Sequence, residues 1–177
     1  MLNAHDGLRL AKKYKGHDGD GKMEFAQMVN EDEGRQIIIA TAKSFLRTKY
    51  HHMGRRRGVG IDCATLILEC AIAAGIVPAD EQLPHYPFQW CMNGSTESLI
   101  NFIKRFCPEF DGPPKPASLV VWQMGRTFSH GAIVVDWPKC IHANVQSGCE
   151  WMDAEADQRF ARMGDAPRPK KFFDHWA

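Results

Sequence analysis

Residues 60–76 read GIDCATLILECAIAAGI, and the order of residue types in this stretch decides the fold. Asp62 can cap a helix by accepting a backbone N–H on its side chain, which places Cys63 in the first turn. Leu66, Ile67, Cys70, Ala71 and Ala74 then make a continuous apolar face at helical spacing, and Gly75 stands where the helix should end. A cysteine in that first turn has two readings. It is either inert core, as buried cysteine usually is, or a thiolate stabilised by free N–H groups and the positive helix end. Cys70 shares its face with apolar neighbours and reads as core.

Working outward, Asn30 and Glu33 have the spacing of a capping box, with Asp32 favouring the positive end. Ile37, Ala40, Thr41, Ser44 and Phe45 fall on one face of the helix that follows, flanked by Ile38 and Leu46. This helix should stop before TKYHHMGRRRGVG, a loop rich in glycine and arginine. Downstream of residue 76, VPADEQLPHYPFQW is irregular, and Leu99, Phe102, Ile103 and Phe106 mark a third helix closed by Pro108. After DGPPKP the pattern becomes SLVVWQM, HGAIVVDW, CIHANV and CEWMD, four short apolar runs broken at Gly125, Pro138 and Gly148. Such runs read as antiparallel hairpins. Helices followed by a meander predict an α+β domain over residues 30–177.

Residues 1–29 differ, being glycine-rich, charged and weakly periodic. Asp18, Asp20 and Gly21 match inner positions of a calcium loop, but Gly16 and Gln27 stand where its anchoring carboxylates belong, so the segment reads as a solvated extension. The 177 residues are 44% apolar and 24% charged, with a net charge of +1. No global field therefore draws the chain to nucleic acid or an anionic membrane, and neither is an expected partner. No apolar run approaches the roughly eighteen residues of a membrane helix. The first residues lack the apolar core of a secretory signal, so synthesis in a reducing cytoplasm is expected. Six cysteines then stay reduced, and without a CxxC pair or zinc-ligand spacing no metal or other cofactor is expected.

Two histidines give Cys63 its company: His130 in SHGAIVV and His142 in CIHANV. A turn near Asp136 to Pro138 would lay these segments antiparallel, with both imidazoles near the strand edge facing the first helix. Cys63, His130 and His142 would then serve as nucleophile, general base and orienting group.

At this point the residues match a known pattern. YHHMGRRRGVGIDCATL, SHGAIVV and IHA resemble the NlpC-type cell-wall peptidases, papain-like cysteine hydrolases of peptidoglycan. The resemblance implies a papain-like α+β fold, with helices packed on a C-terminal antiparallel sheet. It makes Cys63 the nucleophile, His130 the base, His142 the polar third residue, and Tyr50 the tyrosine beside the thiol. GVGIDCATLILECAIAAGIVP, LPHYPFQW, VVWQMGR, SHGAIVVDWP and KKFF resemble more narrowly a bacteriophage subgroup associated with tail genes. The family resemblance implies stem peptides of peptidoglycan as substrate, cut between D-γ-glutamate and diaminopimelate or at a related cross-link. The subgroup implies phage tail-tip proteins as partners and a virion tail location acting on the cell wall. Ala64 and Thr65 depart from the usual Ser-Gly, and His52 and Met53 from the usual aromatic and glycine.

Other residues keep two readings. Arg55, Arg56 and Arg57 either grip substrate carboxylates or form a solvated loop. Tyr86 and Trp90 either line a peptide or glycan groove or pack a proline-rich loop, and packing is favoured. His51 and His52 read as loop residues, Cys140 and Cys149 as reduced packing residues, and Asp136 as solvated. An interbacterial amidase effector of the same fold and a non-catalytic tail-assembly component are the competing functions; three intact candidate residues speak against the latter.

Overall fold

Asn30 caps the first helix, α1 (Glu31–Ser44), by accepting the Glu33 N–H on its side-chain oxygen at 3.0 Å. This belongs to a computed structural model that describes residues 29–88 and 97–177. The proposed extension over 1–29 thus falls, save Val29, outside the described residues, as does Trp90. The inward stripe of α1 is not the expected one. Gly34, Arg35, Ile38 and Ala42 are buried, with Phe45 following, whereas Ala40 faces solvent. The cause lies far along the chain. Gly34 packs so closely on the Trp176 indole that a Cβ would collide with it. Arg35 donates to Asp174 at 2.8 Å and to the Pro116 carbonyl at 2.6 Å. The C-terminal segment therefore selects the buried stripe, and local periodicity carries no trace of it.

The residues before the second helix form a small hairpin where a loop was expected, β1 (Arg55–Arg56) against β2 (Gly60–Ile61). Helix α2 (Cys63–Ala73) follows and ends at Gly75, whose φ of +68° suits glycine. Burial runs almost all round α2, and Leu66, Ile67 and Leu68 are sealed from solvent. Each such side chain contributes about 1.5–3 kcal/mol by leaving water. Helix α3 (Ser98–Ile103) turns Leu99, Phe102 and Ile103 into the same core.

The sheet has six antiparallel strands in the order β3-β10-β4-β5-β6-β7. They are β3 (Glu109–Phe110), β4 (Leu119–Met124), β5 (Thr127–Asp136), β6 (Lys139–Asn144), β7 (Gly148–Asp153) and β10 (Lys170–Phe173). A short helix α4 (Gln158–Ala161) and the hairpin β8 (Arg162–Met163) with β9 (Ala166–Pro167) lie between β7 and β10. The four apolar runs of the sequence are the four strands β4 to β7, and KKFF adds a strand pairing with both β3 and β4.

Two cores flank the sheet. Leu119, Val121, Ile133, Ile141 and Ala143 face the helices. Val120, Trp122, Ala132, Val134 and Cys140 face the other way, under Ala154 and Phe160. Gly131 is where α2 presses on the sheet, since a Cβ there would stand 2.6 Å from Ile67 Cδ1.

Candidate active site

Asp62 caps α2 reciprocally with Thr65: Asp62 Oδ1 accepts the Thr65 N–H at 2.9 Å, and Thr65 Oγ1 accepts the Asp62 N–H at 3.0 Å. The Thr65 hydroxyl also donates to the Gly54 carbonyl at 2.6 Å, so this departure from the usual Ser-Gly ties α2 to the loop before it. The other carboxylate oxygen of Asp62 accepts the Met53 N–H and the Tyr86 hydroxyl, each at 2.7 Å. Tyr86 is thus a buried partner of the cap. His52 stacks edge-on against Tyr86 and donates through Nε2 to the Tyr86 carbonyl at 2.8 Å.

This cap sets the thiol in place. Cys63 is 9% exposed, and its Sγ donates to the Ser129 carbonyl across 3.8 Å. Backbone N–H groups of Gly131, Ala64 and Cys63 favour the thiolate, as a helix N-terminus should. Burial outweighs them, and Asp62 adds repulsion, so the thiol pKa is pushed up to about 12. The resting residue is a neutral thiol. Its hydrogen-bond partner is the carbonyl before His130 rather than the imidazole.

His130 and His142 are hydrogen-bonded, Nε2 to Nδ1, at 2.8 Å. Their position corrects the expected one, because both rings stand on the face away from α1 and α2. Side chains alternate along a strand, so His130 sides with Ala132 and Val134, and His142 with Cys140. Gly131 is the residue that meets α2, and Cys63 reaches β5 on either side of His130, at Ser129 and Gly131. Phe160 covers the pair, stacked on His130 at 4.7 Å between centroids and edge-on to His142 at 5.2 Å. Burial, and then His142, hold His130 well below its ordinary 6.5. Burial also lowers His142, against Glu150, which pulls it upward.

The remaining candidates lie around this centre. Tyr50 bridges to Ile61, two residues before the thiol, and meets Phe88 edge-on at 6.2 Å. Arg55 is held by the Glu69 carboxylate at 2.6 Å and the Glu81 carbonyl at 3.1 Å, which clamps the hairpin to α2. Arg56 is exposed and pairs with Gly60. Cys140 and Cys149 are reduced and belong to opposite cores. Among the described residues no cluster of three or more His, Cys, Asp or Glu could hold a metal ion, and no helix is long and apolar enough to cross a membrane. A cavity of about 360 Å³ lies beside Arg35 and Lys115, lined by no cysteine, serine or histidine.

Sequence reading passed over Phe160 and the groups behind His142. For the latter a signal existed: a hairpin closing at Gly148 sets Glu150 directly opposite His142.

No model of a known protein family matches the sequence, and no curated protein does. Solved structures match in fold. The peptidoglycan hydrolase RipB from Mycobacterium tuberculosis aligns with a TM-score of 0.58 at 12% identity, over 97% of this chain and 81% of that one. The NlpC/p60 domain of the peptidoglycan hydrolase SagA gives 0.52 at 15% identity, over 77% and 96%. NlpC1 from Trichomonas vaginalis gives 0.57 at 12% identity, over 88% of this chain but only 48% of its own length. With a thiol opening a helix, helices leading and an antiparallel sheet behind, the chain carries the papain-like fold of NlpC/p60 domains.

Proposed function

We propose that this chain is a cysteine peptidase of peptidoglycan, cutting amide bonds in stem peptides through Cys63, His130 and His142. The observation that carries the reading is the placement of a helix-capped thiol at the backbone on either side of His130, whose ring is bonded to His142. The fold match to peptidoglycan hydrolases supports the substrate class.

His130 Nε2 is engaged by His142, so Nδ1 is the nitrogen left to take the thiol proton. Rotation of Cys63 away from the Ser129 carbonyl delivers that proton, and the thiolate attacks the amide carbon. Free N–H groups at the start of α2, with the Tyr50 hydroxyl, hold the oxyanion. As the C–N bond breaks, His130 returns the proton to the leaving amine. Water then attacks the thioester, gives its proton to His130 and releases a carboxylate as the C–S bond breaks. No step uses a metal.

The finer reading is a phage or prophage tail-associated endopeptidase acting on the D-γ-glutamyl-diaminopimelate bond, with tail-tip proteins as partners. It rests on the resemblance of GVGIDCATLILECAIAAGIVP, LPHYPFQW and SHGAIVVDWP to that subgroup. Purified sacculi and defined muropeptides incubated with the wild type and with Cys63→Ala, read by mass spectrometry, test both levels. Cleavage by the wild type alone is expected, unaffected by chelator. Equal product from the variant overturns the mechanism, and cleavage at another bond overturns the finer reading.

A further inference from the structure

We infer that Glu150 is a positioning residue which sets the tautomers of His142 and His130, leaving the His130 Nδ1 lone pair free to accept a proton. The inference rests on the proposed catalytic roles of those three residues.

Neutral imidazole carries one proton, so two bonded imidazoles have two possible arrangements. In one, His142 donates from Nδ1, and His130 must carry its own proton on Nδ1. A base protonated there cannot accept from a thiol. In the other, His130 donates from Nε2, its Nδ1 lone pair is free, and His142 carries its proton on Nε2. The pair is symmetric in itself, and whatever faces His142 Nε2 breaks the symmetry.

Two groups face it: Asn144 Nδ2 at 3.3 Å and Glu150 Oε1 at 3.5 Å. Asn144 orientation is settled by its oxygen, which accepts the Gln146 and Ser147 N–H groups at 2.9 and 3.2 Å. Its amide therefore presents two hydrogens. Both have better partners than the imidazole, Ser147 Oγ at 2.7 Å and Glu150 Oε1 at 2.8 Å. Ser147 in turn donates to Glu150. No hydrogen of Asn144 remains for His142, so Nε2 keeps its own proton and directs it at the Glu150 carboxylate. Opposite charge nearby also favours the imidazolium that forms when His130 takes the thiol proton.

The other charged groups facing this carboxylate come from α4 and the residue before it. Arg159 Nη2 lies 3.8 Å from Glu150 Oε1 but only 2.6 Å from Asp157 Oδ2, so its charge is largely matched elsewhere. Removing Glu150 releases one Asn144 hydrogen to His142 Nε2, and both rings then adopt the unproductive arrangement.

The test combines imidazole ¹⁵N chemical shifts with muropeptide kinetics at pH 7.5. The wild type should show protons on Nε2 of both His130 and His142. Glu150→Ala should move both protons to Nδ1 and lower kcat at least ~100-fold, the scale of one general acid–base group, with KM little changed. Asn144→Asp in the Glu150→Ala background puts an acceptor back beside Nε2, keeps the turn contacts of Oδ1, and should restore the Nε2 protons with at least ~10-fold in kcat. A wild-type His130 protonated on Nδ1, or rings unmoved in Glu150→Ala, overturns the inference while leaving Cys63-dependent cleavage intact. Conversely, moved rings with cleavage that survives Cys63→Ala overturn the catalytic reading and leave the proton arrangement standing.

Discussion

The Tyr86 hydroxyl donates to Asp62 across 2.7 Å inside the protein, one residue before the thiol. Asp62 thereby acquires two opposed effects: it anchors the start of α2, and its charge makes the neighbouring thiol less acidic. Asp62→Asn should therefore lower stability while raising thiol acidity. Loss of charge-assisted bonds to Thr65, Met53 and Tyr86 should cost about 2–3 kcal/mol in urea unfolding. Alkylation of Cys63 by iodoacetamide should become faster. A variant as stable as the wild type would contradict the anchoring role.

Alkylation of wild-type Cys63 should also lack a plateau near neutrality. Burial holds the thiol at about 12, so reactivity should climb about tenfold per pH unit through the mildly alkaline range. A plateau below pH 7 would mean that the thiolate–imidazolium pair exists before substrate arrives.

Phe160 lies on both imidazoles and on Trp122, at 5.1 Å between centroids. Phe160→Ala should cost about 3 kcal/mol, the lower end for a buried aromatic. It should also admit water to His130 and move its titration upward toward 6.5, which NMR would follow. An unmoved His130 titration would show that burial by Phe160 is not what depresses it.

Stability should fall at both ends of the pH scale. His130 and His142 have native pKa values below 6.5, so unfolded chains bind protons that the native state refuses. Their contribution is complete above 6.5 and is lost as pH falls toward the depressed values. Cys63 is raised from 9.0 to about 12, so its contribution is complete below 9.0 and is lost as pH rises through that interval. Urea midpoints measured from pH 4 to pH 10.5 should trace a dome, flatter on the acid side in His130→Phe.

The Arg35–Asp174 pair, with side chains 10% and 3% exposed, joins α1 to the end of the chain. Asp174→Ala removes the buried one of the two carboxylates on Arg35, leaving only the more exposed Glu31, and takes a partner from Ser118, which donates to Asp174 at 2.7 Å. A loss of about 3–5 kcal/mol is expected in thermal or urea unfolding.

Much of this was legible because it is local. A cap, a helix and its glycine stop occupy the fourteen consecutive residues from Asp62 to Gly75, and each strand from β4 to β7 announces itself by composition. What escaped depends on residues far apart. The buried stripe of α1 is chosen by Trp176 and Asp174, and the face of the histidines by strand alternation counted from Gly131. Tyr86 looked like packing of a loop and turned out to be a hydrogen-bond partner of the cap. Phe160 sits in a four-residue helix too short to show any period.

Strand β10 lies between β3 and β4, so the sheet closes around a segment that leaves the ribosome after almost everything it supports. While residues 170–173 are still in the exit tunnel, β4 has an open edge and Arg35 has no Asp174 to meet. The scaffold under the thiol-bearing helix is therefore complete only once residues 170–174 have joined it.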